Sequence, residues 1–381
     1  MSWEPVGGGG VIVEAEGPAG EKFGDPDEWV EVASLGTARK DLAGASDADG
    51  LVYAIGGNSD ANLYESLVEQ YDPSTDTWTT VASLGTARNN FAGASDADGL
   101  VYAIGGRSDA NDFESVVEQY DPATDTWTTV ASLGTGRHEL AGASDADGLI
   151  YAISGVVDGF DLTSGVEQYD PSTDTWTTVA SLGTARRELA GASDSDGLVY
   201  AIGGADADFN PLSPVEQYDP STDTWTTVAS LGTARRQLAG ASDANGLVYA
   251  IGGRSDAITR ESVVEQYDPG TDTWTTVASL GTGRKQLAGA SDADGFIYAI
   301  GGESDANLYE SLVEQLRFDP LFADAYSATG DTLFTADDPD AELLNRTTDR
   351  SVTGDSLIAR DGETIAWLVE SQARLYRTEE Q

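Results

Sequence analysis

The chain contains no cysteine among its 381 residues. Disulfides, zinc sites built on thiolates and thiol-dependent catalysis are therefore excluded. It also contains a single histidine, His138. One imidazole cannot form a histidine-based metal site, and copper or zinc normally needs further nitrogen or sulfur ligands. We accordingly expect neither a metal nor another cofactor.

Long apolar runs are missing as well. No segment approaches the roughly 18 consecutive apolar residues of a membrane-spanning helix. The N-terminus has neither the basic start nor the apolar stretch of a secretory signal. Cytoplasmic localisation is the expectation, with an extracellular protein as the alternative if the chain is a fragment whose export signal lies elsewhere.

Basic residues are scarce. The 20 Lys and Arg residues face 66 Asp and Glu residues, which gives a net charge of −46. Phosphate binding requires clustered Lys and Arg, so we expect neither nucleic acid nor an anionic membrane as a partner. Repulsion among so many negative charges opposes compaction of the chain. Molar salt relieves this repulsion by shortening the Debye length to about 3 Å. The composition resembles that of proteins from extreme halophiles, and we expect the fold to need high salt.

Most of the chain consists of one unit used six times. Tryptophan recurs at an interval of 49 residues, at Trp29, Trp78, Trp127, Trp176, Trp225 and Trp274. A repeat of about 40 to 50 residues with Gly, Tyr and Trp signals favours a propeller of four-stranded blades.

The copy that begins at Arg88 shows the pattern within a unit. A-G-A-S predicts a short strand before a D-A-D-G turn, and L-V-Y-A-I predicts a strand buried on both faces, ended by Gly105-Gly106. After a ten-residue polar loop, V-E-Q-Y predicts the third strand. D-P-A-T-D-T is a turn, and W-T-T-V-A-S-L (127–133) predicts the fourth strand.

The shared motifs R-x-x-[LF]-A-G-A-S, [LF]-[VI]-Y-A-I-G-G and V-E-Q-Y-D-P-x-T-D-T-W resemble the kelch repeat. Departures are few: Ser154 replaces the first glycine of one pair, and the first and last copies are irregular. The resemblance implies an all-β fold, a six-bladed kelch-type β-propeller with four-stranded antiparallel blades.

The two ends of the repeat array predict how the ring closes. The first copy has only the fourth strand, around Trp29, and the last copy ends at residue 320 without one. Pairing the N-terminal strand with the C-terminal blade buries both free edges, so Trp29 should complete the blade that begins at Arg284. We expect an N-terminal extension (1–26), the propeller (27–320) and a C-terminal non-repeat extension (321–381). The last part is read as a linker (322–342) followed by a hairpin across Asp361-Gly362.

Differences between the copies concentrate in two places. One is the residue pair after the repeated arginine, and the other is the ten-residue loop after the double glycine. The first strand leaves the arginine and the second returns antiparallel to it, so both places should lie on the same face. The first strand lines the central channel in the propellers that this chain resembles, which implies that the variable pairs surround the channel mouth.

This pattern predicts a binding surface of mixed polarity, because guanidinium groups suit carboxylates and aromatic faces suit sugars or side chains. The candidates from the pairs are Lys40, Asp41, Asn90, His138, Glu139, Arg187, Glu188, Arg236, Gln237, Lys285 and Gln286. The candidates from the loops are Arg107, Arg254, Tyr64 and Tyr309, with Arg260, Phe113, Phe160 and Phe209 as further donors and stacking groups. Neutral drift of loops between recent duplicates is the alternative explanation.

We expect a monomeric, non-catalytic scaffold that binds a protein segment or a glycan on this face, where kelch adaptors hold peptides. The alternative is a carbohydrate-active enzyme similar to kelch-like sugar epimerases or mutarotases. A catalyst should show one asymmetric, buried Glu/Arg/His cluster with shifted pKa values, and a binder should show a broad, open, mixed surface. The six repeated arginines are assigned to the scaffold, contacting a neighbouring blade or pairing with the six repeated glutamates.

Overall fold

The computed structural model describes residues 28–108, 113–304 and 308–317, together with the backbone of three strands near the C-terminus. Residues Trp29–Leu316 form one compact unit. The predicted extension 1–26 and the predicted linker 322–342 lie outside the described residues.

The compact unit consists of six four-stranded antiparallel sheets, the blades of a β-propeller. The innermost strands are Ala43–Ser46, Ala92–Ser95, Ala141–Ser144, Ala190–Ser193, Ala239–Ser242 and Ala288–Ser291. The second strands are Val52–Ile55, Val101–Ile104, Ile150–Ile153, Val199–Ile202, Val248–Ile251 and Ile297–Ile300. The third strands are Val68–Asp72, Val117–Asp121, Val166–Asp170, Val215–Asp219, Val264–Asp268 and Val313–Arg317. The outer strands are Thr77–Thr80, Thr126–Val130, Thr175–Val179, Thr224–Val228, Thr273–Thr276 and Glu28–Val32.

Short elements connect the blades and their loops. The two-residue strands are Arg39–Lys40, Asn58–Ser59, Val156–Val157, Asp161–Leu162, Arg284–Lys285 and Glu303–Ser304. One 3₁₀ turn spans Asp158–Phe160. No helix in the described part of the chain is long and apolar enough to cross a membrane.

The second strand of each blade is buried on both faces, as its apolar sequence predicts. In the first blade Val52, Tyr53 and Ile55 are all fully inaccessible to solvent. The Tyr53 hydroxyl is satisfied by donating to Asp47 Oδ2 at 2.7 Å, in the turn before the strand. The outer strands are more exposed and end earlier than predicted: the outer strand of the second blade ends at Val130.

Glycine in the innermost strands allows these strands to approach one another around the central axis. A Cβ atom on Gly93 would lie 2.5 Å from the carbonyl oxygen of Gly44, too close for any side chain. A Cβ atom on Gly44 would lie 2.5 Å from the carbonyl oxygen of Gly289. The second contact joins the first blade to the sixth, so the ring is closed.

The N-terminal strand completes the sixth blade. Glu28–Val32 lies beside Val313–Arg317, and the indole of Trp29 donates to the carbonyl oxygen of Ala278 in the fifth blade at 3.0 Å. Trp78 donates in the same way to Ala33 in the sixth blade at 2.8 Å. The predicted closure of the ring is therefore confirmed, and the repeated tryptophans join neighbouring blades.

The C-terminal strands form a separate three-stranded sheet. Ser356–Asp361 pairs antiparallel with Thr364–Val369. The third strand, Arg374–Glu379, pairs with Thr364–Val369 and was not predicted from the sequence.

Candidate functional site

The repeated arginine of each unit belongs to the scaffold. Arg235 Nη2 lies 2.9 Å from Glu265 Oε1, and its Nη1 donates to the carbonyl oxygens of Gly252 and Val263 at 2.8 Å. The same pair recurs as Arg39–Glu69, Arg88–Glu118, Arg137–Glu167, Arg186–Glu216, Arg235–Glu265 and Arg284–Glu314. The glutamates were predicted correctly as partners. The expectation that the guanidinium contacts a neighbouring blade was wrong, because its partners lie on the strands of the blade that it precedes.

The second residue of each variable pair belongs to a closed ring of backbone hydrogen bonds. Each amide donates to the corresponding carbonyl of the preceding blade at 2.8–3.0 Å, and the last bond runs from Asp41 to Gln286. The ring consists of Asp41, Asn90, Glu139, Glu188, Gln237 and Gln286. We call the face that carries this ring, with the loops that follow the second strands, the channel-mouth face.

All six ring residues have a left-handed backbone, with φ between 51° and 56°. Asn and Asp tolerate this conformation best among non-glycine residues, whereas Glu and Gln adopt it at a cost of about 1 kcal/mol. Glu139 and Glu188 nevertheless occupy two of the positions. Strain of this kind indicates that the side chain, rather than the backbone, determines the residue found there.

Both variable regions lie on the channel-mouth face. The first residue of each pair bridges the first residue of the loop in its own blade: Lys40 with Asn58, Asn89 with Arg107, His138 with Val156, Arg187 with Ala205, Arg236 with Arg254 and Lys285 with Glu303. The antiparallel argument made from the sequence therefore holds for every blade.

Two arginines, one from the fourth blade and one from the fifth, meet at one aromatic ring of the fourth blade. The guanidinium carbons of Arg187 and Arg236 lie 4.1 Å and 5.4 Å from the centre of the Phe209 ring. Arg187 Nε donates to Glu139 Oε2 at 2.5 Å, and Arg236 Nη1 pairs with Glu188. Each of these ion pairs joins one blade to the preceding blade, unlike the scaffold pairs.

Glu303 forms a second charged centre with three cations. Its carboxylate contacts Lys40 Nζ at 2.5 Å, Arg260 Nη2 at 2.7 Å and Lys285 Nζ at 3.2 Å. Burial opposes ionisation of Glu303, but hydrogen bonds from Lys40 and Arg260 outweigh it and lower its pKa to about 2. Lys40 also lies 4.8 Å from the centre of the Tyr309 ring.

Glu303 was missed from the sequence, although a signal for it exists. The loops of the first and sixth blades share S-D-A-N-L-Y-E-S-L and differ in the residue before it, Asn58 in one and Glu303 in the other. A single difference between otherwise identical loops marks the position that distinguishes the two blades.

His138 is almost fully buried, although it was predicted to lie on an open binding surface. Its ring stacks on Phe113, with the ring centres 4.4 Å apart, and its Nε2 lies 3.8 Å from Glu139 Oε1. Burial lowers the pKa of His138 to about 4. The imidazole is therefore neutral at neutral pH and adds no charge to the face.

Asp41 is buried among amides. Its carboxylate accepts from the side-chain amide of Gln286 and from Asn58 Nδ2, the latter at 3.2 Å. Burial raises the pKa of Asp41 to about 7. In the second blade the corresponding contacts are between amides only, and Asn90 Nδ2 donates to Asn89 Oδ1 at 3.2 Å.

The remaining predicted residues are placed as follows. Gln237 Nε2 donates to Glu188 Oε1 at 2.9 Å, and Arg254 Nε donates to the carbonyl oxygen of Asp256 at 2.7 Å. The guanidinium of Arg107 lies 6.0 Å from the centre of the Phe113 ring. Tyr64 is half-buried and makes no hydrogen bond or ring contact with a described residue.

The loops of this face also carry exposed apolar side chains. Among the residues whose side chains the structure describes, the exposed large hydrophobic ones are Leu63, Phe160, Phe209, Ile258 and Leu308. All five belong to the loops that follow the second strands. Phe160 and Phe209 were predicted as stacking groups, whereas the aliphatic Leu63, Ile258 and Leu308 were not predicted.

No arrangement of three or more His, Asp and Glu side chains within the described ranges could hold a metal ion. Most charged groups of the face are bound to one another instead, in ion pairs and amide contacts. Chemically, the arrangement offers guanidinium and ammonium donors, ionised carboxylates and apolar loop tips.

Comparison with known proteins identifies the repeat. The structure of YjhT superposes with a TM-score of 0.62 at 16% sequence identity, covering 75% of this chain and 99% of that chain. Because 662 chains of solved structures match, the shared fold does not select a function. No curated protein sequence matches this chain significantly. The model of the Kelch motif matches residues 45–85, 91–134, 146–183, 186–232 and 235–281, more than half of the chain. The chain therefore belongs to the kelch-repeat family.

Proposed function

We propose that the protein is a non-catalytic scaffold whose channel-mouth face binds a segment of another protein. The observation that carries the proposal is that the exposed large hydrophobic side chains of the described residues are confined to one face. Large apolar residues that gather on one face within a polar surround are typical of interaction sites. In this propeller Leu63, Phe160, Phe209, Ile258 and Leu308 gather on the loops of one face.

The opposite face provides an internal reference. Its D-A-D-G turns are capped by their own first aspartate: Asp47 Oδ1 accepts from the backbone amides of Asp49 and Leu51 at 3.0 and 2.9 Å. The same bonds recur around Asp96 and Asp145. A face that repeats one turn is determined by the needs of folding. A face on which every copy differs is the better candidate for recognising a particular partner.

A protein segment fits this face better than a glycan. Sugar recognition commonly uses free aromatic faces, and here three of the loop aromatic rings are engaged by charged or polar side chains. Phe209 faces Arg187, Phe113 stacks on His138, and Tyr309 lies under Lys40. The exposed aliphatic tips of Leu63 and Ile258 suit the apolar side chains of a peptide.

A carbohydrate-active enzyme is the second candidate, and one cluster favours it. His138, Glu139, Arg187, Glu188 and Arg236 form an asymmetric, largely buried group in three neighbouring blades. Burial and the charge of Glu139 raise the pKa of Glu188. Each glutamate is nevertheless bound to an arginine, which leaves neither one poised as a free base. Faster exchange between the anomers of reducing sugars, lost in Glu188→Gln, would replace the scaffold proposal by this one.

Selection from a random peptide display library tests the scaffold proposal. The bait is the full chain in molar KCl, and the comparison bait carries Phe209→Ser and Ile258→Ser, two exposed substitutions on the channel-mouth face. We expect peptides that bind the wild type and lose most of their signal on the double variant. A matched control, Asn245→Asp, changes the opposite face to the D-A-D-G found in other copies. Equal binding to all three baits, or no enrichment, would contradict the proposal.

A further inference from the structure

The basic residues of this acidic protein are concentrated on one face. Residues 29–316 contain 13 Lys and Arg residues, and six of them are the buried scaffold arginines. The other seven all lie on the channel-mouth face: Lys40, Arg107, Arg187, Arg236, Arg254, Arg260 and Lys285. In a chain with a net charge of −46, such a concentration requires a specific reason.

Three of these arginines are adjacent in the fourth and fifth blades. Arg187 and Arg236 flank the ring of Phe209, and the backbone of Arg236 bridges that of Arg254 at N–O distances of 2.9 and 3.1 Å. The positive charge of Arg236, after burial, contributes to lowering the pKa of Arg254. Positive charges in one region repel one another, and a bound anion relieves that repulsion.

The carboxylates nearby satisfy only part of this cluster. Arg187 uses Nε for Glu139, and Arg236 uses Nη1 for Glu188. No described residue accepts a hydrogen bond from either terminal nitrogen of Arg187, from either terminal nitrogen of Arg254, or from Nη2 of Arg236. Arg254 makes no salt bridge with a described residue. Five terminal nitrogens therefore remain available on three neighbouring side chains.

These groups have the geometry and setting of an anion site. A guanidinium group presents two parallel N–H donors that match the two oxygens of a carboxylate. Phe209 adds exposed apolar surface beside Arg187 and Arg236, and Ile258 lies in the same loop as Arg254. A doubly charged phosphate would meet stronger repulsion than a carboxylate from so acidic a protein.

We propose that Arg187, Arg236 and Arg254 form a carboxylate-binding site that recognises an Asp or Glu side chain next to an apolar residue in the partner segment. This inference rests on the proposed function and names the chemistry of the segment. Lys40 of the first blade and Lys285 of the sixth blade contact Glu303 and belong to that separate centre.

Three blocked dipeptides test the site directly: acetyl-Phe-Asp-amide, acetyl-Phe-Asn-amide and acetyl-Phe-phosphoserine-amide. Their binding to the full chain in molar potassium glutamate and in molar KCl is followed by saturation-transfer NMR. We expect the Asp peptide to bind about tenfold more tightly in KCl than the Asn peptide, the size of one charge-assisted hydrogen-bonded contact. Glutamate should compete with it, because that anion carries the carboxylates that the site recognises.

Three variants test which residues produce the preference for the Asp peptide over the Asn peptide. Arg254→Gln removes two terminal nitrogens that have no protein partner, so it should preserve the fold and abolish the preference for Asp over Asn. Asn245→Asp makes the same change in net charge on the opposite face and should leave the preference intact. Arg187→Gln, checked for folding by tryptophan fluorescence, should reduce it as well.

The outcomes separate this inference from the proposed function. Equal binding of the Asp and Asn peptides, tighter binding of the phosphoserine peptide, or an unchanged preference in Arg254→Gln would overturn the carboxylate site. Absence of binding by all three peptides would also overturn it. In each case peptides from the display selection that depend on Phe209 and Ile258 would still support the scaffold. Failure of that selection, by contrast, would remove the scaffold itself.

Discussion

Two kinds of arginine–glutamate pair occur next to each other in this chain, and their difference separates structure from recognition. Arg186 is fully buried and pairs with Glu216 inside one blade, whereas Arg187 is partly exposed and pairs with Glu139 of the preceding blade. The first pair recurs six times without change. The second has one counterpart at the same positions of the repeat, Arg236 with Glu188. Repetition thus marks the groups that every blade needs in order to fold, and departure from it marks a surface that has become specific.

The largest effect should come from removing salt, which acts on exposed charges and spares buried pairs. Transfer from molar KCl to about 0.1 M lengthens the Debye length from about 3 Å to about 10 Å. Repulsion within a chain of net charge −46 should then unfold the propeller despite its six buried pairs. Circular dichroism across a salt series measures this. A propeller that stays fully stable at low ionic strength would show that the buried pairs and the core are sufficient for folding without high salt.

The next effect is the loss of one scaffold pair. Arg186→Ala leaves the Glu216 carboxylate buried without its cation, and we expect a loss of about 3–5 kcal/mol in the free energy of unfolding. The adjacent change Arg187→Ala is the matched control and should cost less, about 1–2 kcal/mol, because both partners keep some contact with water. Denaturant unfolding in molar salt compares the two. Equal losses in the free energy of unfolding would mean that the two pairs differ in position but not in their contribution to stability.

A smaller effect concerns the ring at the channel mouth. The folded pKa of Asp41, about 7, lies above its ordinary value of 3.8, so the unfolded chain loses the proton first as pH rises. The contribution of Asp41 to stability therefore falls between about pH 4 and pH 7. Asp41→Asn should remove this fall and stabilise the protein at pH 8 by on the order of 2 kcal/mol.

The second blade provides a precedent for that variant, because Asn90 occupies the same ring position. The side-chain oxygen of Gln286 has no partner among the described residues and can accept from the new amide after the Gln286 amide rotates. Thermal unfolding of wild type and variant at pH 4.5 and pH 8 tests the prediction. A difference that does not grow with pH would show that Asp41 is ionised throughout.

The smallest effect is expected where one scaffold glycine has changed. Ser154 has φ = 58°, close to the values of the glycines at the same position in other blades. Its hydroxyl lies 2.7 Å from the carbonyl oxygen of Thr163 and 2.8 Å from that of Arg186. Ser154→Gly removes a backbone strain, the hydrogen bond that the hydroxyl donates, and the one that it accepts from the backbone amide of Arg186 at 3.0 Å. These contributions largely offset one another, so stability should change by less than about 1 kcal/mol. A loss above about 2 kcal/mol would show that the serine stabilises this blade more than the glycine found in the others.

The architecture could be predicted from the sequence because six copies report the same local rules. Turn residues, the apolar V-Y-A-I strand and the phase of Trp29 fix the strands, the blades and the closure of the ring. The third C-terminal strand could not be found in this way, since it occurs once and has no second copy for comparison.

The candidate site was predictable only as a location. The spacing of the variable pairs placed Arg187 and Glu139 on one face, but not in contact with each other. Their contact depends on the left-handed backbone of Glu139, a conformation that the identity of a glutamate argues against. Burial of His138 likewise depends on Phe113, which a loop contributes from another blade. Such contacts follow from the packing of neighbouring blades, and no local pattern records them.

The closure of the ring by Glu28–Val32 imposes an order on how this protein is made. During synthesis the strand that carries Trp29 leaves the ribosome first, while its hydrogen-bonding partner, Val313–Arg317, is among the last parts of the propeller to appear. Until then the growing chain has unpaired strand edges at both ends, and such edges invite pairing with other molecules. Closing a loop of this length is slow compared with forming each blade from neighbouring strands. The contact that closes the ring therefore forms last. Until it forms, the unpaired strand edges are exposed to chaperones, proteases and other nascent copies.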